Sequence, residues 1–329
     1  MTDKFELIYN AFKNKSSDMK PISLWKHFPQ EDRTPDGLAK ATIQFHDKFP
    51  GDLIKISPHG RFCVVDWGCE VDTEFDPISG STRCKKCSIT TREDWETIEE
   101  VDPQVGEFGK QLQALKAINQ VYEGKVPMMM TLFSPFMTAS KMDPNILQNI
   151  VDVPETVLGG LKEISKTITE FARSSIETGA NGLFIATQHS RKDILSLEQL
   201  EQFEISLIGR LMSLVTKKEF TVLHIHGSNI YFKELGAKLR PNAINWHDQQ
   251  TPPTLQKAPK EFSGGLLGGI DAEGTLQTAT AEEVRNHILE VLENTSNQHI
   301  MAPGCVIPID VPDENIEAVL TTVREFQIK

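Results

Sequence analysis

Residues 155–187, ETVLGGLKEISKTITEFARSSIETGANGLFIAT, decide the fold class. Val157, Leu158, Leu161, Ile164, Ile168, Phe171 and Ile176 recur three and four residues apart, the stripe of an amphipathic helix. Gly179 supplies a stop, and Gly182 opens a six-residue apolar run with the length of a buried strand. The same unit recurs on both sides. Apolar runs at 21–26, 52–56, 126–132, 182–187, 221–226, 243–247, 265–270 and 299–302 make eight. Helical spacing marks 195–215, 281–292 and 313–326, with Thr280 and Asp313 placed to cap the last two. A further helix starts the chain, with Phe5, Ile8, Tyr9 and Phe12 on its apolar face. Strands alternating with helices predict a parallel sheet, and eight units predict closure into a (β/α)8 TIM barrel of the α/β class. The rival, an open doubly wound sheet, lacks a GxGxxG turn after any strand.

One barrel domain over residues 1–329 is therefore expected, with one interruption. After an early strand, residues 58–101 form a long polar excursion with four of the five cysteines, which reads as a strand-and-hairpin insertion over one barrel mouth. The Gly264–Gly269 run lacks the Lys-Ser/Thr of a phosphate loop and reads as small residues in a crowded strand. The net charge of −12 is opposite to that of a general nucleic-acid binder. No apolar run has the length of a membrane span, and the charged first fifteen residues are not a signal peptide. An odd cysteine count excludes a fully paired disulfide framework, so the cytoplasm is the expected compartment.

Functional groups in such a barrel gather at the C-terminal strand ends. Those ends carry His27, Gln188, His189, His226, His247, Asp248, Asp271 and Cys305. Within Leu223-His224-Ile225-His226-Gly227, the two histidines are two residues apart and share one face of a strand. Two interior imidazoles are costly without partners; a shared metal ion satisfies both, and so does a hydrogen-bonding neighbour for one of them. Cys305 follows the last strand, and Asp248 lies 22 residues after His226. His224, His226, Asp248 and Cys305 form a candidate N2OS set for Zn2+, with Asp248 either a displaceable ligand or the partner of an imidazole. Cys63, Cys69, Cys84 and Cys87 read as free loop thiols; a structural zinc knuckle is the alternative, against which the Cys63–Cys69 spacing counts.

The stretches FARSSIETGANGLFIATQ (171–188), LHIHG (223–227), LGAKLRPNAINWHD (235–248), GGLLGGID (265–271 with Gly264) and HIMAPGCVIPIDVPDENI (299–316) resemble the uroporphyrinogen decarboxylase superfamily. That resemblance implies a (β/α)8 barrel. The decarboxylase branch uses an N-terminal arginine motif, and residues 21–28, PISLWKHF, contain no arginine. The chain is more similar to the zinc-dependent, corrinoid-linked methyltransferase branch, whose motif is HxC and then a distant cysteine. His224 matches the histidine and Cys305 the second cysteine, while His226 stands where the branch has cysteine. The resemblance implies methyl transfer between a corrinoid on a partner protein and a thiol acceptor at Zn2+ held by His224, His226 and Cys305. It assigns His247, Asp248 and Asp66 to the catalytic region, and His27, Trp67, Gln188, His189 and Asp271 to a small-molecule pocket. Two other readings stand beside it: a metal-free decarboxylase with Asp66 catalytic, and a non-catalytic corrinoid- or porphyrin-binding subunit.

Overall fold

The computed structural model describes residues 3–213 and 219–326. In chain order its strands are β1 (Ile54–Ile56), β2 (Glu70–Phe75), β3 (Thr82–Lys86), β4 (Met128–Phe133), β5 (Gly182–Thr187), β6 (Phe220–Ile225), β7 (Ala243–Trp246), β8 (Gly265–Ile270) and β9 (His299–Pro303). Seven of them form one curled parallel sheet in the order β1-β4-β5-β6-β7-β8-β9, surrounded by helices. β4, β5, β6 and β8 are buried along their whole length, as a parallel sheet covered on both faces requires. The methionines of β4 pack in this core. The decisive helix spans Pro154–Glu177 and the strand after it Gly182–Thr187, as the residue spacing predicts.

The expected first strand, 21–26, is not a regular strand. It is an extended segment that closes the sheet between β9 and β1. Single parallel bridges join Ile22 to Met301 and Lys26 to Ile307. Met301 N–H donates to Pro21 O, and Ser23 N–H returns a bond to Met301 O. Towards β1, side chains replace part of the ladder. Asp52 N–H donates to Ile22 O, while the Asp52 carboxylate accepts Ile22 N–H at 3.0 Å and Ser23 Oγ donates to Leu53 O. Pro21 has no N–H to give, so a continuous ladder cannot start there. Asp52 also receives both Arg324 guanidinium nitrogens at 2.8 and 2.9 Å, which ties the last helix, Asp313–Glu325, to the barrel seam.

Two helix expectations change. The predicted helix 195–215 is Leu197–Leu200, a π turn at Glu201–Ile205, and Ser206–Met212; residues 214 and 215 lie outside the described residues. Asp313 sits in the first turn of its helix, and Pro312 occupies the cap position. Thr280 does cap its helix, in a reciprocal pair with Glu283. The excursion after β1 contains the antiparallel hairpin β2–β3, whose tip and second strand cover the barrel mouth with Ser79, Ser81, Thr82 and Arg83. In β8, a Cβ on Gly268 would lie 2.4 Å from the Asp248 carboxylate, so close approach explains that glycine.

Because the Asp52 carboxylate is buried and serves both the seam and Arg324, its removal leaves a cation and a backbone donor unpaired. Asp52→Ala is expected to cost about 3–5 kcal/mol in urea unfolding. A loss under about 1 kcal/mol would contradict the seam assignment.

Candidate metal centre

β6 ends beneath the barrel mouth, and the chain continues straight into His226. β7 lies beside it, with His224 opposite Asn245. Asn245 is fully buried, and its Nδ2 donates to Leu267 O and Pro303 O, each at 3.0 Å. Its Oδ1 is therefore the acceptor that faces His224 Nδ1 at 2.7 Å. That bond places the His224 proton on Nδ1 and leaves the Nε2 lone pair free. His247 follows two residues after Asn245, on the same face of the strand. Its Nε2 lies 3.1 Å from His226 Nδ1, and Cys305 Sγ lies 3.7 Å from that same nitrogen.

One ligand atom from each of His224, His226, His247 and Cys305 falls within 4.8 Å of the others, the one such group among the described residues. Ligands of a tetrahedral Zn2+ sit roughly 3.3–3.8 Å apart, from bond lengths of about 2.0–2.3 Å. The two separations above, 3.1 and 3.7 Å, lie just below and within that range. Electrostatics favour the same use. Burial holds the His224 imidazole well below the ordinary histidine range, helped by the neighbouring His226 and His247. Burial also pulls His226 down to about 4 and lowers His247. Burial pushes the Cys305 thiol up to about 11. At neutral pH the site thus presents three neutral imidazoles, whose lone pairs are free to bind a metal, and a thiol that must lose its proton to do so.

The centre opens into a cavity of about 520 Å3. Trp25, Phe133, Phe184 and Met137 give it apolar walls. Lys55, Arg61, Arg83 and Lys141 line it as well, against the single carboxylate of Glu273. Burial pulls the Lys55 ammonium down to about 7 and Lys141 to about 8. Sequence reasoning missed these cations. Lys55 carried a signal: it interrupts the Ile54-Lys55-Ile56 strand, where an outward lysine would have to be solvated.

The structure brings together some of the expected site residues and separates others. His27 and Gln188 line the cavity. His247 joins the cluster, whereas Asp248 does not. Alternation along the strand sends Asp248 the opposite way, where its carboxylate accepts Gly269 N–H at 3.1 and 3.2 Å. Asp66 is a helix cap: its oxygens accept Glu107 N–H at 2.8 and 2.9 Å and Phe108 N–H at 3.0 Å. Trp67 packs edge-on against Phe108 and donates its indole N–H to Glu99 O, away from the cavity. Asp271 accepts Thr275 N–H within its own turn and the Gln250 side-chain N–H from the loop after β7. His189 stands edge-on to Phe136 and does not line the cavity. All five cysteines are free; Cys69 and Cys84 hydrogen-bond, but the loop cysteines do not form a four-ligand metal set.

Glu204, on the π turn, is a fully buried carboxyl that sequence reasoning also missed. Its Oε1 receives the hydroxyls of Ser134 and Thr187, at the ends of β4 and β5. Thr187 O in turn accepts His226 N–H at 2.9 Å. Burial raises the Glu204 pKa to about 7.

The sequence model of the uroporphyrinogen decarboxylase (URO-D) family matches residues 17–326. A methylcobamide:CoM methyltransferase, MtbA, of Methanosarcina acetivorans is 21% identical over 242 residues, covering 73% of this chain and 70% of that protein. Its Methanosarcina mazei counterpart is 20% identical over 245 residues, covering 74% and 71%. Among solved structures, a methyltransferase from Methanosarcina mazei superposes with a TM-score of 0.84 at 18% identity, covering 99% of both chains. A B12-independent methionine synthase from a Shewanella species superposes at 0.60 with 14% identity, covering 93% and 98%. At these identities the superpositions establish the shared fold.

Two measurements test the site. Elemental analysis is expected to find about one zinc per chain; His247→Ala should weaken zinc binding by about 10–100-fold or more, and Asp248→Asn should leave it unchanged. Zinc loss in Asp248→Asn with retention in His247→Ala would overturn the ligand set. The second concerns Glu204. Its folded pKa lies above its ordinary value, so its contribution to stability is fully present below about 4.5 and is lost as pH rises through about 7. Between those values the wild type should lose roughly 3 kcal/mol relative to Glu204→Gln. Parallel stability curves for the two proteins would contradict the buried-acid assignment.

Proposed function

The chain belongs to the uroporphyrinogen decarboxylase (URO-D) family, and on that premise we propose that it is a methyltransferase moving a methyl group between a corrinoid and a thiol acceptor. The observation that carries this reading is the convergence of His224, His226, His247 and Cys305, three of which line the cavity. The names of the two Methanosarcina relatives support the corrinoid and thiol parts of it.

His224, His226, His247 and Cys305 would hold Zn2+, which supplies Lewis acidity that favours the ionised form of a thiol. The chain's own groups do the rest. Asn245 fixes the His224 tautomer through its Oδ1. The buried position of His224 keeps water from one side of the centre. Cys305 would give up its proton on cation binding and be the one anionic donor. Three imidazoles and one thiolate carry one negative charge fewer than the HxC set of the methyltransferase branch. A thiol that displaced one of these donors, or entered as a fifth, would therefore ionise more easily here, and its thiolate would be a weaker nucleophile. Lys55, Lys141 and Arg61 add positive charge around the cavity and favour an anionic acceptor.

The corrinoid would arrive on a separate protein that docks over the mouth. The reading treats residues 1–329 as one barrel domain and places the protein in the cytoplasm. No helix among the described residues is long and apolar enough to cross a membrane. A metal-free decarboxylase is less well served, because Asp66 caps a helix outside the cavity.

The test mixes zinc-loaded protein with methylcobalamin and a panel of small thiols that includes CoM. Demethylation, read from the corrinoid spectrum, is expected. Treatment with chelator or the Cys305→Ser change should slow it by about 10–100-fold or more. Equal rates in the chelated protein would overturn the reading. A corrinoid spectral shift on mixing without demethylation would favour a binding subunit instead.

A further inference from the structure

Buried cations ordinarily have anionic partners, because an isolated charge in a dry site is costly. Asp52 and Arg324 illustrate the rule at the barrel seam. The cavity breaks it. Lys55 is 7% exposed, yet its ammonium has one hydrogen-bond partner, the neutral Ser57 hydroxyl at 2.9 Å. The Nζ otherwise lies over two aromatic faces, 4.5 Å from the Phe184 ring centre and 5.5 Å from that of Trp25. Lys141 lies 5.0 Å from the Phe133 ring centre. Arg61 spends its guanidinium on two backbone carbonyls, Thr82 O at 3.2 Å and Lys141 O at 3.5 Å, and on the Cys84 sulfur at 4.0 Å. Among the described residues none of the three has a carboxylate oxygen within 4.0 Å. Glu273 makes no ion pair with any of the three; its charge acts on His247 and Cys305.

Size and wall chemistry add an independent constraint. At about the volume of one liquid water per heavy atom, ~30 Å3, a two-carbon thiol sulfonate of seven heavy atoms needs only about 200 Å3. The cavity offers about 520 Å3. The surplus is faced by Trp25, Phe133 and Phe184, and Trp25 meets Phe184 edge-on at 5.7 Å. Phe184 also stacks on the His224 ring at 5.4 Å, so this aromatic wall runs from Lys55 directly to the metal centre.

We propose that the cavity takes an amphipathic organic acid with an aromatic-sized body, its anionic group held by Lys55, Lys141 and Arg61 and its body packed on the Trp25–Phe184 wall. The acid group then sits at one end of the aromatic wall and the reacting atom at the other, facing His224. This deepens the methyltransferase reading by naming the class of its small-molecule substrate, and it rests on that reading for the reaction alone.

The test is calorimetric and uses probes without a thiol, so it is read whether or not methyl transfer occurs. Three ligands are titrated into the full-length protein: 3-phenylpropionate, its neutral amide, and propionate. The aromatic acid is expected to bind about tenfold or more tighter than either of the others. Lys55→Met should remove most of the preference of acid over amide while leaving amide binding within about twofold. Lys141→Met, farther from the barrel strands, should reduce that preference in the same direction if Lys55→Met does not fold. Equal binding of acid and amide would overturn the anion site. Propionate binding as tightly as 3-phenylpropionate would overturn the apolar body. Preserved acid preference alongside absent demethylation would sink the reaction and leave this substrate class standing.

Discussion

Strand alternation at the top of the barrel is the constraint on which the site depends. In a closed parallel sheet one face of each strand is interior, and residues two apart share it. His224 and His226 share it on one strand, and Asn245 and His247 share it on the next. Cys305 reaches the same place from beyond the last strand. The β6–β7 register sets the three imidazoles side by side, and Cys305 joins them from just after β9. The same alternation sends Asp248 outwards, where Gly268 leaves room for its carboxylate.

Burial then decides the chemistry. The cluster contains no paired carboxylate, and desolvation keeps each imidazole neutral. A site of neutral nitrogens with one ionisable sulfur suits a divalent cation better than it suits acid–base catalysis by histidine, which needs a pKa near working pH. The surrounding cations extend the positive potential into the cavity without quenching it, since Glu273 is the single carboxylate among the lining residues described.

Much of this was legible in the sequence. The helix-stop-strand unit at 155–187, the His224–His226 pair and the distant Cys305 each follow from periodicity and position. The seam was not legible, because a segment held by Asp52 and Ser23 side chains has the hydropathy of a strand without its ladder. The choice between His247 and Asp248 turned on a parity of one residue, which an uncertain strand boundary cannot supply. Asp66 entered the candidate site through the family resemblance alone, whereas its partners are backbone N–H groups 41 and 42 residues away. Glu204 was hidden because a π turn shifts the side-chain phase within a helix that reads as regular. Arg61 and Lys141 lie 80 residues apart, too far in sequence for their shared cavity to be visible.

The central claim is that one metal ion is bound by three imidazoles and one thiolate. Zinc-edge X-ray absorption of the zinc-loaded protein tests it most directly. Three nitrogen ligands at about 2.0–2.1 Å and one sulfur at about 2.3 Å are expected, with the sulfur contribution absent in Cys305→Ser. Two or more sulfur ligands, or a sulfur contribution that survives in Cys305→Ser, would contradict it and move the metal to the cysteines of the hairpin loop.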